Sequence, residues 1–322
     1  MKAIRIEQHG GPEVMALADV PVGEPGPGEI RVRHEAIGVN FIDTYHRTGL
    51  YKIPLPSGLG LEAAGVVDAI GTSVTRFKQG DRVVYASGPR GAYAEFNVVQ
   101  EVQAVRLPDG VAFDVAAASL LKGMTARFLL RKTFRVERGH VVVIHAAAGG
   151  VGQIAVQWAK HLGATVIAIV GSDAKAEIAR ALGADNAILQ SEDIAKRVRE
   201  LTDGKGAHVV YDSVGKDTFL ASIDSARPLG MVVSFGNASG PPPDINPLLL
   251  SQKGSLFLTR PTLFSYVSTV EQLDETASDL FDALKSGAVK IAPPKHYALA
   301  DAAQAHRDLE GRKTTGSLVL IP

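Results

Sequence analysis

Apolar positions along the 322-residue chain follow two regimes that change over near residue 115. Before that point, hydrophobic and polar residues alternate in short runs: 1–6, 30–39, 62–70, 82–85 behind the turn Gly80-Asp81, 92–99 and 102–107. A period of two puts successive side chains on opposite faces of a strand. Many short strands broken by turn residues predict a compact β-barrel-like domain. Beyond residue 115, near-continuous apolar runs occupy 141–146, 165–170, 187–189, 208–212, 231–236 and 256–259, with helical stretches between them that include 174–182, 193–201 and 219–226. Strands covered on both faces lose the alternation, so six such runs separated by helices predict a doubly wound parallel sheet. A long amphipathic helix follows, with Val270, Leu273, Ala277, Leu280, Phe281 and Leu284 on one side, and a strand over 316–321 returns to the first domain. The expected organisation is α/β: a discontinuous β-rich domain of residues 1–122 and 262–322 around an inserted Rossmann domain of residues 123–261.

The strongest local signal lies behind the first of the six runs, at His145-Ala146-Ala147-Ala148-Gly149-Gly150-Val151-Gly152. It reads Ala147-x-Gly149-x-x-Gly152, a dinucleotide-binding fingerprint with alanine in the first place. In such a turn Gly149 lets the backbone approach a pyrophosphate and Gly152 lets the helix pack closely on the sheet. The first amides of the helix, unpaired within it, then point at the anion. Val151, Ile154, Ala155, Trp158, Ala159 and Leu162 fall on one helical face, and Gly163 stands where the helix ends.

Cofactor choice is set at the end of the next run. NAD selectivity calls for an acidic residue about 20 residues past the glycine turn, to accept bonds from the ribose 2′-hydroxyl. Here Gly171 leaves room instead, and Ser172 and Lys175 can meet a 2′-phosphate by hydrogen bond and charge. NADPH is therefore the expected cofactor, although Asp173 adds a negative charge nearby.

Composition narrows the classes. Lys plus Arg equals Asp plus Glu, 34 of each, so no general electrostatic pull toward nucleic acid or an acidic membrane is expected. There is no cysteine, which excludes disulfides, thiolate ligands and cysteine nucleophiles, and the nine histidines form no i, i+4 pair on a helix. No metal is expected, and each histidine reads as surface or satisfied core. No run approaches 18 apolar residues and the N-terminus carries no signal-peptide core, so the expected address is the cytoplasm.

Nine segments, in this order and spacing, resemble the quinone oxidoreductase (zeta-crystallin-like) branch of the zinc-free medium-chain dehydrogenase/reductase superfamily: HGGPEV (9–14), AIGVNFIDTYHRTGLY (36–51), LPSGLGLEAAGVV (55–67), GDRVVYA (80–86), LLKGMTA (120–126), HAAAGGVGQIAVQWAKHLGA (145–164), VVYDSVGKDTF (209–219), VSFGNASG (233–240) and KGSLFLTRP (253–261). The resemblance implies a GroES-like first domain and a Rossmann second one. Asn40 stands where zinc-dependent relatives carry a ligand cysteine, and Leu61 where they carry a histidine.

The resemblance also implies site residues. Asn40, Phe41, Ile42, Asp43, Thr44 and Tyr45 lie beside the nicotinamide ribose, and Lys122, Thr125 and Phe128 approach from the helix between the domains. Gly149, Gly150, Val151 and Gly152 hold the pyrophosphate. Lys175 and Arg312 belong to the 2′-phosphate pocket, with Gln190 where the relatives often have tyrosine. Ser213 and Gly215, then Phe235, Gly236, Asn237 and Ser239, form a floor, and Phe257, Leu258 and Arg260 border the nicotinamide. The strand 256–259 is the expected edge of a homodimer.

The implied activity is reduction of quinones by NADPH, by hydride or electron transfer, without zinc. Asn40 and Tyr45 orient the substrate carbonyl, with Tyr45 a candidate proton donor; alternatively Asn40 caps a turn and Tyr45 lines the cleft. A second reading is NADPH-dependent reduction of activated alkenes such as enones, enals or enoyl thioesters. A third is a non-catalytic NADPH-binding crystallin or RNA-binding protein, against which stand the zero net charge and the lack of an aromatic–basic stripe.

Overall fold

A computed structural model describes residues 1–312 and 314–322. The chain divides into two compact units: Met1–Lys122, Val267–Phe281 and Ile291–Pro322 form one, Gly123–Tyr266 and Asp282–Lys290 the other.

The first unit is built on strands β1 (Lys2–Ile6), β2 (Ala16–Asp19), β3 (Glu29–Val39), β4 (Ser57–Gly58), β5 (Glu62–Ile70), β6 (Arg82–Tyr85), β7 (Phe96–Gln100) and β8 (Ala104–Arg106), with helix α1 (Phe41–Thr48) after β3. β3 organises them. It pairs antiparallel with β5 along its length, and its first half also pairs with β7. Ile30, Val32, His34 and Ala36 are buried, whereas Arg31 and Arg33 on the other face form ion pairs with Asp68 and Glu35 at 2.7 and 2.6 Å. From Ala36 to Val39 every residue is buried. β1, β2 and β4 make a separate three-stranded sheet.

In the second unit, β9 (Val141–His145), β10 (Thr165–Val170), β11 (Asn186–Leu189), β12 (Ala207–Asp212), β13 (Ala226–Ser234) and β14 (Phe257–Thr259) are all parallel, in the order β11-β10-β9-β12-β13-β14. The chain runs outward from β9 to β11, then returns to the other side of β9 as β12. That reversal creates the switch point at which ligands bind in such sheets. Val143, Ile167, Ile169, Val210 and Val232 are at most 2 % exposed, which is why these strands read as unbroken apolar runs. Helices α2 (Phe113–Phe128), α3 (Gly150–His161), α4 (Asp173–Ala181), α5 (Ile194–Glu200), α6 (Phe219–Ser225) and α7 (Leu248–Gln252) complete the middle of the chain.

After α8 (Val270–Lys285), β15 (Lys295–Ala298), α9 (Ala302–Glu310) and β16 (Leu318–Ile321) return to the first unit, where β16 pairs antiparallel with the end of β3. Two segments depart from the sequence expectation. Residues 262–266 and 282–290 group with the second unit rather than the first. Tyr266 explains the former: its ring stacks on Phe128 with centroids 4.5 Å apart, and its hydroxyl accepts a bond from Thr133. Lys290 explains the latter, since its N–H and C=O are both bonded to the Gln157 side chain. The strand expected over 231–236 instead begins at Ala226 and stops at Ser234, with its pairing to β12 interrupted between Ala207 and Val209.

Candidate active site

All six strands of the second unit run the same way, so everything that follows a strand's C-terminal end lies along one edge of the sheet. Gly149–Gly152 follow β9; Gly171, Ser172 and Lys175 follow β10; Gln190 follows β11; Ser213 and Gly215 follow β12; Phe235, Gly236, Asn237 and Ser239 follow β13; Arg260 follows β14. Parallel register thus collects segments spread over 112 residues of sequence, from Gly149 to Arg260.

The glycine turn is locally explained. Ala146 takes the left-handed conformation (φ 50°) and its carbonyl accepts the Gly149 N–H. A Cβ on Gly152 would come 2.3 Å from that carbonyl oxygen, so only glycine lets α3 press against the turn. The first helical bond is Gln153 N–H to the Gly149 carbonyl, which leaves the amides of Gly150, Val151 and Gly152 with no acceptor inside the helix. At the end of β10, a Cβ on Gly171 would meet nothing within 4 Å, so the space above it is open. Ser172 caps α4, its Oγ accepting the Lys175 N–H at 3.4 Å, and Lys175 is half-buried in the first helical turn.

Other predicted contacts are committed to the unit's own structure. Ser239 Oγ donates to the Val214 carbonyl and accepts the Asp217 N–H. Gly236 gives Ser213 room, since a Cβ there would lie 2.4 Å from the Ser213 oxygen. Arg260 donates to Ser234 Oγ and the Gly236 carbonyl. Phe128 is 2 % exposed against Tyr266, and Thr125 is buried, whereas Phe257 on the edge strand is 58 % exposed and Leu258 36 %.

The first unit carries Asn40, Phe41, Ile42, Asp43, Thr44, Tyr45, Lys122 and Arg312. α1 begins because Asn40 is extended (φ −132°) and Asp43, three residues on, accepts the Asn40 N–H at 2.9 Å; it ends because Gly49 turns left-handed (φ 81°). Thr44 Oγ1 bonds back to the Phe41 carbonyl. Phe41 and Ile42 are half-buried, Tyr45 is 8 % exposed, and its ring meets Tyr51 edge-on at 5.2 Å. Asn40 Nδ2 donates to Glu62 Oε2 at 2.8 Å, and the Lys122 ammonium lies 3.7 Å from the same oxygen while donating to the Val39 carbonyl.

Behind α1 runs a buried chain that sequence reasoning missed. Arg47 forks onto Glu310, at 2.7 and 3.0 Å, and also donates to His306 Nδ1. A guanidinium only donates, so His306 carries its proton on Nε2, which donates to Tyr93 Oη at 3.0 Å. The single Tyr93 hydroxyl proton then goes to Asp43 Oδ2 at 2.9 Å. Asp43 Oδ1, among the described residues, has no partner. Burial pushes the Asp43 carboxyl up to about 7, against the Asn40 N–H, Tyr93 and Lys122, which favour its charge. Burial holds His306 down at about 3, aided by Arg47. His306 and His34 are satisfied core histidines, but Nδ1 of His46 and of His145 is buried without a partner among the described residues.

Among the described residues, no three His, Asp or Glu side chains stand together in a manner that holds a metal, and the chain has no cysteine, so zinc finds no donor set in them. Nor is any helix long and apolar enough to cross a membrane.

Residues 26–109 match the family described as "Alcohol dehydrogenase GroES-like domain", and residues 150–283 the family described as "Zinc-binding dehydrogenase". With a GroES-like unit and a six-stranded Rossmann sheet, the protein is a medium-chain dehydrogenase/reductase. It is 55 % identical to a quinone oxidoreductase of Pseudomonas aeruginosa, across 100 % of this chain and 99 % of the relative. A crystal structure of Escherichia coli quinone oxidoreductase complexed with NADPH superposes with a TM-score of 0.98 at 47 % identity, covering 100 % of both chains. A 2-haloacrylate reductase from a Burkholderia species is 46 % identical over 98 % of each chain. The chain belongs to the quinone oxidoreductase family.

Proposed function

We propose that this protein is an NADPH-dependent quinone reductase that works without zinc. The observation that carries the reading is the strand-end edge of the second unit: three helix-free amides at Gly150–Gly152, and open space above Gly171 beside Ser172 and Lys175. These residues fit NADPH. The α3 amides would take the pyrophosphate, and the Ser172 hydroxyl and Lys175 ammonium the 2′-phosphate. Arg312 is assigned to the same phosphate by family resemblance alone. When bound, the dihydronicotinamide supplies the reducing equivalents.

The chain's own residues have the remaining tasks of orienting the acceptor and excluding water. Asn40 and Tyr45 are the groups assigned to the acceptor carbonyl, with solvent or the Tyr45 hydroxyl as the source of protons. A quinone is reduced without a dedicated acid, which suits a site whose carboxyls, Asp43 on α1 and Glu62 on β5, are fully buried. The exposed Phe257 and Leu258 on the edge strand β14 support a homodimer formed there, and the reading carries with it a cytoplasmic address.

The 2-haloacrylate reductase relative supports reduction of activated alkenes as the second reading. NADPH consumption measured in parallel with 1,4-benzoquinone, 9,10-phenanthrenequinone, 2-alkenals and 2-chloroacrylate decides between them. Turnover on the quinones at least ~10-fold above the alkenes is the expected result, and the reverse order transfers the assignment to alkene reduction. Lys175→Ala should raise KM for NADPH about ten-fold, as loss of one charged phosphate contact does, and leave KM for NADH unchanged. Equal preference for the two cofactors in the wild type would end the NADPH assignment.

A further inference from the structure

Two buried carboxylates hold Asn40, one at its backbone and one at its side chain, and the second, Glu62, has no assigned role. The Asn40 backbone N–H is bonded to Asp43 and its carboxamide nitrogen to Glu62. Glu62 is itself held on several sides. It is fully buried, its Oε1 accepts the Leu121 N–H at 2.7 Å, and Lys122 stands 3.7 Å from Oε2. Across the β3–β5 pairing Glu62 faces Gly38, and a Cβ on Gly38 would lie 2.3 Å from Glu62 Oε2. Glycine at that position is what makes room for the carboxylate. Burial opposes the ionised form of Glu62, while Lys122, Asn40 and the Leu121 N–H sustain it. A carboxylate only accepts, so the Asn40 nitrogen faces it, and the Asn40 oxygen lies on the other side of the carboxamide, over the Asp43 N–H of the capping box, which takes at most one of its two lone pairs.

We propose that Glu62 is a positioning residue that fixes the Asn40 carboxamide with its nitrogen inward, leaving its oxygen a hydrogen-bond acceptor for a hydroxyl or amide N–H on the nicotinamide-riboside half of the cofactor. The inference rests on the NADPH reading of the segment that Asn40 opens. It narrows the assignment made above: with one amide proton held by Glu62, Asn40 serves the cofactor first, and orientation of the acceptor falls mainly to Tyr45.

The test is a swap of hydrogen-bond polarity. In Glu62→Gln the Leu121 N–H keeps the amide oxygen, so the new NH2 group faces the Asn40 NH2 group and the Asn40 carboxamide turns over. Calorimetric Kd for NADPH and KM for NADPH should each rise ~10–100-fold, the range typical when a supporting partner is lost, with KM for 1,4-benzoquinone unmoved. The double variant N40D/E62Q restores donor and acceptor with their places exchanged and keeps the local charge, so Kd should return to within about 3-fold of wild type. Three outcomes overturn the inference: a folded E62Q that binds NADPH like wild type, a double variant that stays impaired, or failure of both variants to fold. If E62Q alone does not fold, the double variant decides by the same criterion. Absence of heat when wild type meets NADPH overturns the cofactor reading and this inference with it, whereas wild-type heat with an unaltered E62Q removes the inference only.

Discussion

Each unit buries an aspartate completely, and the two are solvated by the protein in opposite ways. Asp212, at the end of β12, accepts the Val214 and Gly215 amides and the hydroxyls of Thr218 and Ser222, all within ten residues of it. Asp43 has two donors at one oxygen, none at the other among the described residues, and depends on Tyr93, a residue 50 positions away. A carboxyl with four local donors is tied into the loop beyond β12 and shapes it. One with half that number, at the head of the helix assigned to the cofactor, is a group whose protonation is close to balance. Equal burial therefore does not mean equal electrostatic character; the count and reach of the donors decide it.

The comparison is broken most severely at Asp212. Asp212→Ala strands two amides and two hydroxyls in the core, and urea unfolding should show a loss of about 3–5 kcal/mol, whereas a loss under 1 would mean water replaces the carboxylate. Asp43→Asn acts through pH instead. The folded protein holds a proton on Asp43 up to about pH 7 that the unfolded chain, titrating near its ordinary 3.8, has already released. Wild-type stability should thus decline as pH rises from about 4 to about 7 and then level, by an amount on the order of a few kcal/mol. Asp43→Asn should flatten that segment of a Tm–pH curve; an unaltered slope would show that Glu62 or another group titrates there. Tyr93→Phe is the finer probe. It removes a bond that favours the charged Asp43, so the levelling point should move above pH 7, with about 1–2 kcal/mol lost through the unpaired His306 N–H. A downward move would reverse the assigned direction of the Tyr93 bond.

Much of the second unit was legible in the sequence because its strands are covered on both faces. Burial of Val143, Ile167 and Val210 alike leaves no alternation to misread, and Gly149 and Gly152 mark the turn without reference to distant residues. In the small sheet β1 was legible from its alternation over 1–6 but its partners were not: β2 is largely exposed and β4 is two residues long, so only tertiary contact defines them. α9 hid for a related reason. Its buried face is Ala302, Ala305 and His306, too weakly apolar to announce a helix. In the site, Asn40 and Asp43 at capping spacing were visible, but Glu62 lies 22 residues from Asn40, and Arg47 and His306 are 259 apart. No local period reports such pairs. The hydrogen bonds of His306, and with them its tautomer, follow only once α9 is seen to pack on Arg47.

The return of the chain to β3 has a consequence for biosynthesis. Arg47, 1 % exposed, finds its counter-ion among the described residues in Glu310, and Val39 pairs across the sheet with Leu318. On a ribosome working from the N-terminus, the dinucleotide platform has all its residues once Lys290 has emerged, while the Asn40 segment still waits for a partner hundreds of codons downstream. Until then a lone guanidinium has no place in a dry interior, and the early half of the nascent protein must stay ajar.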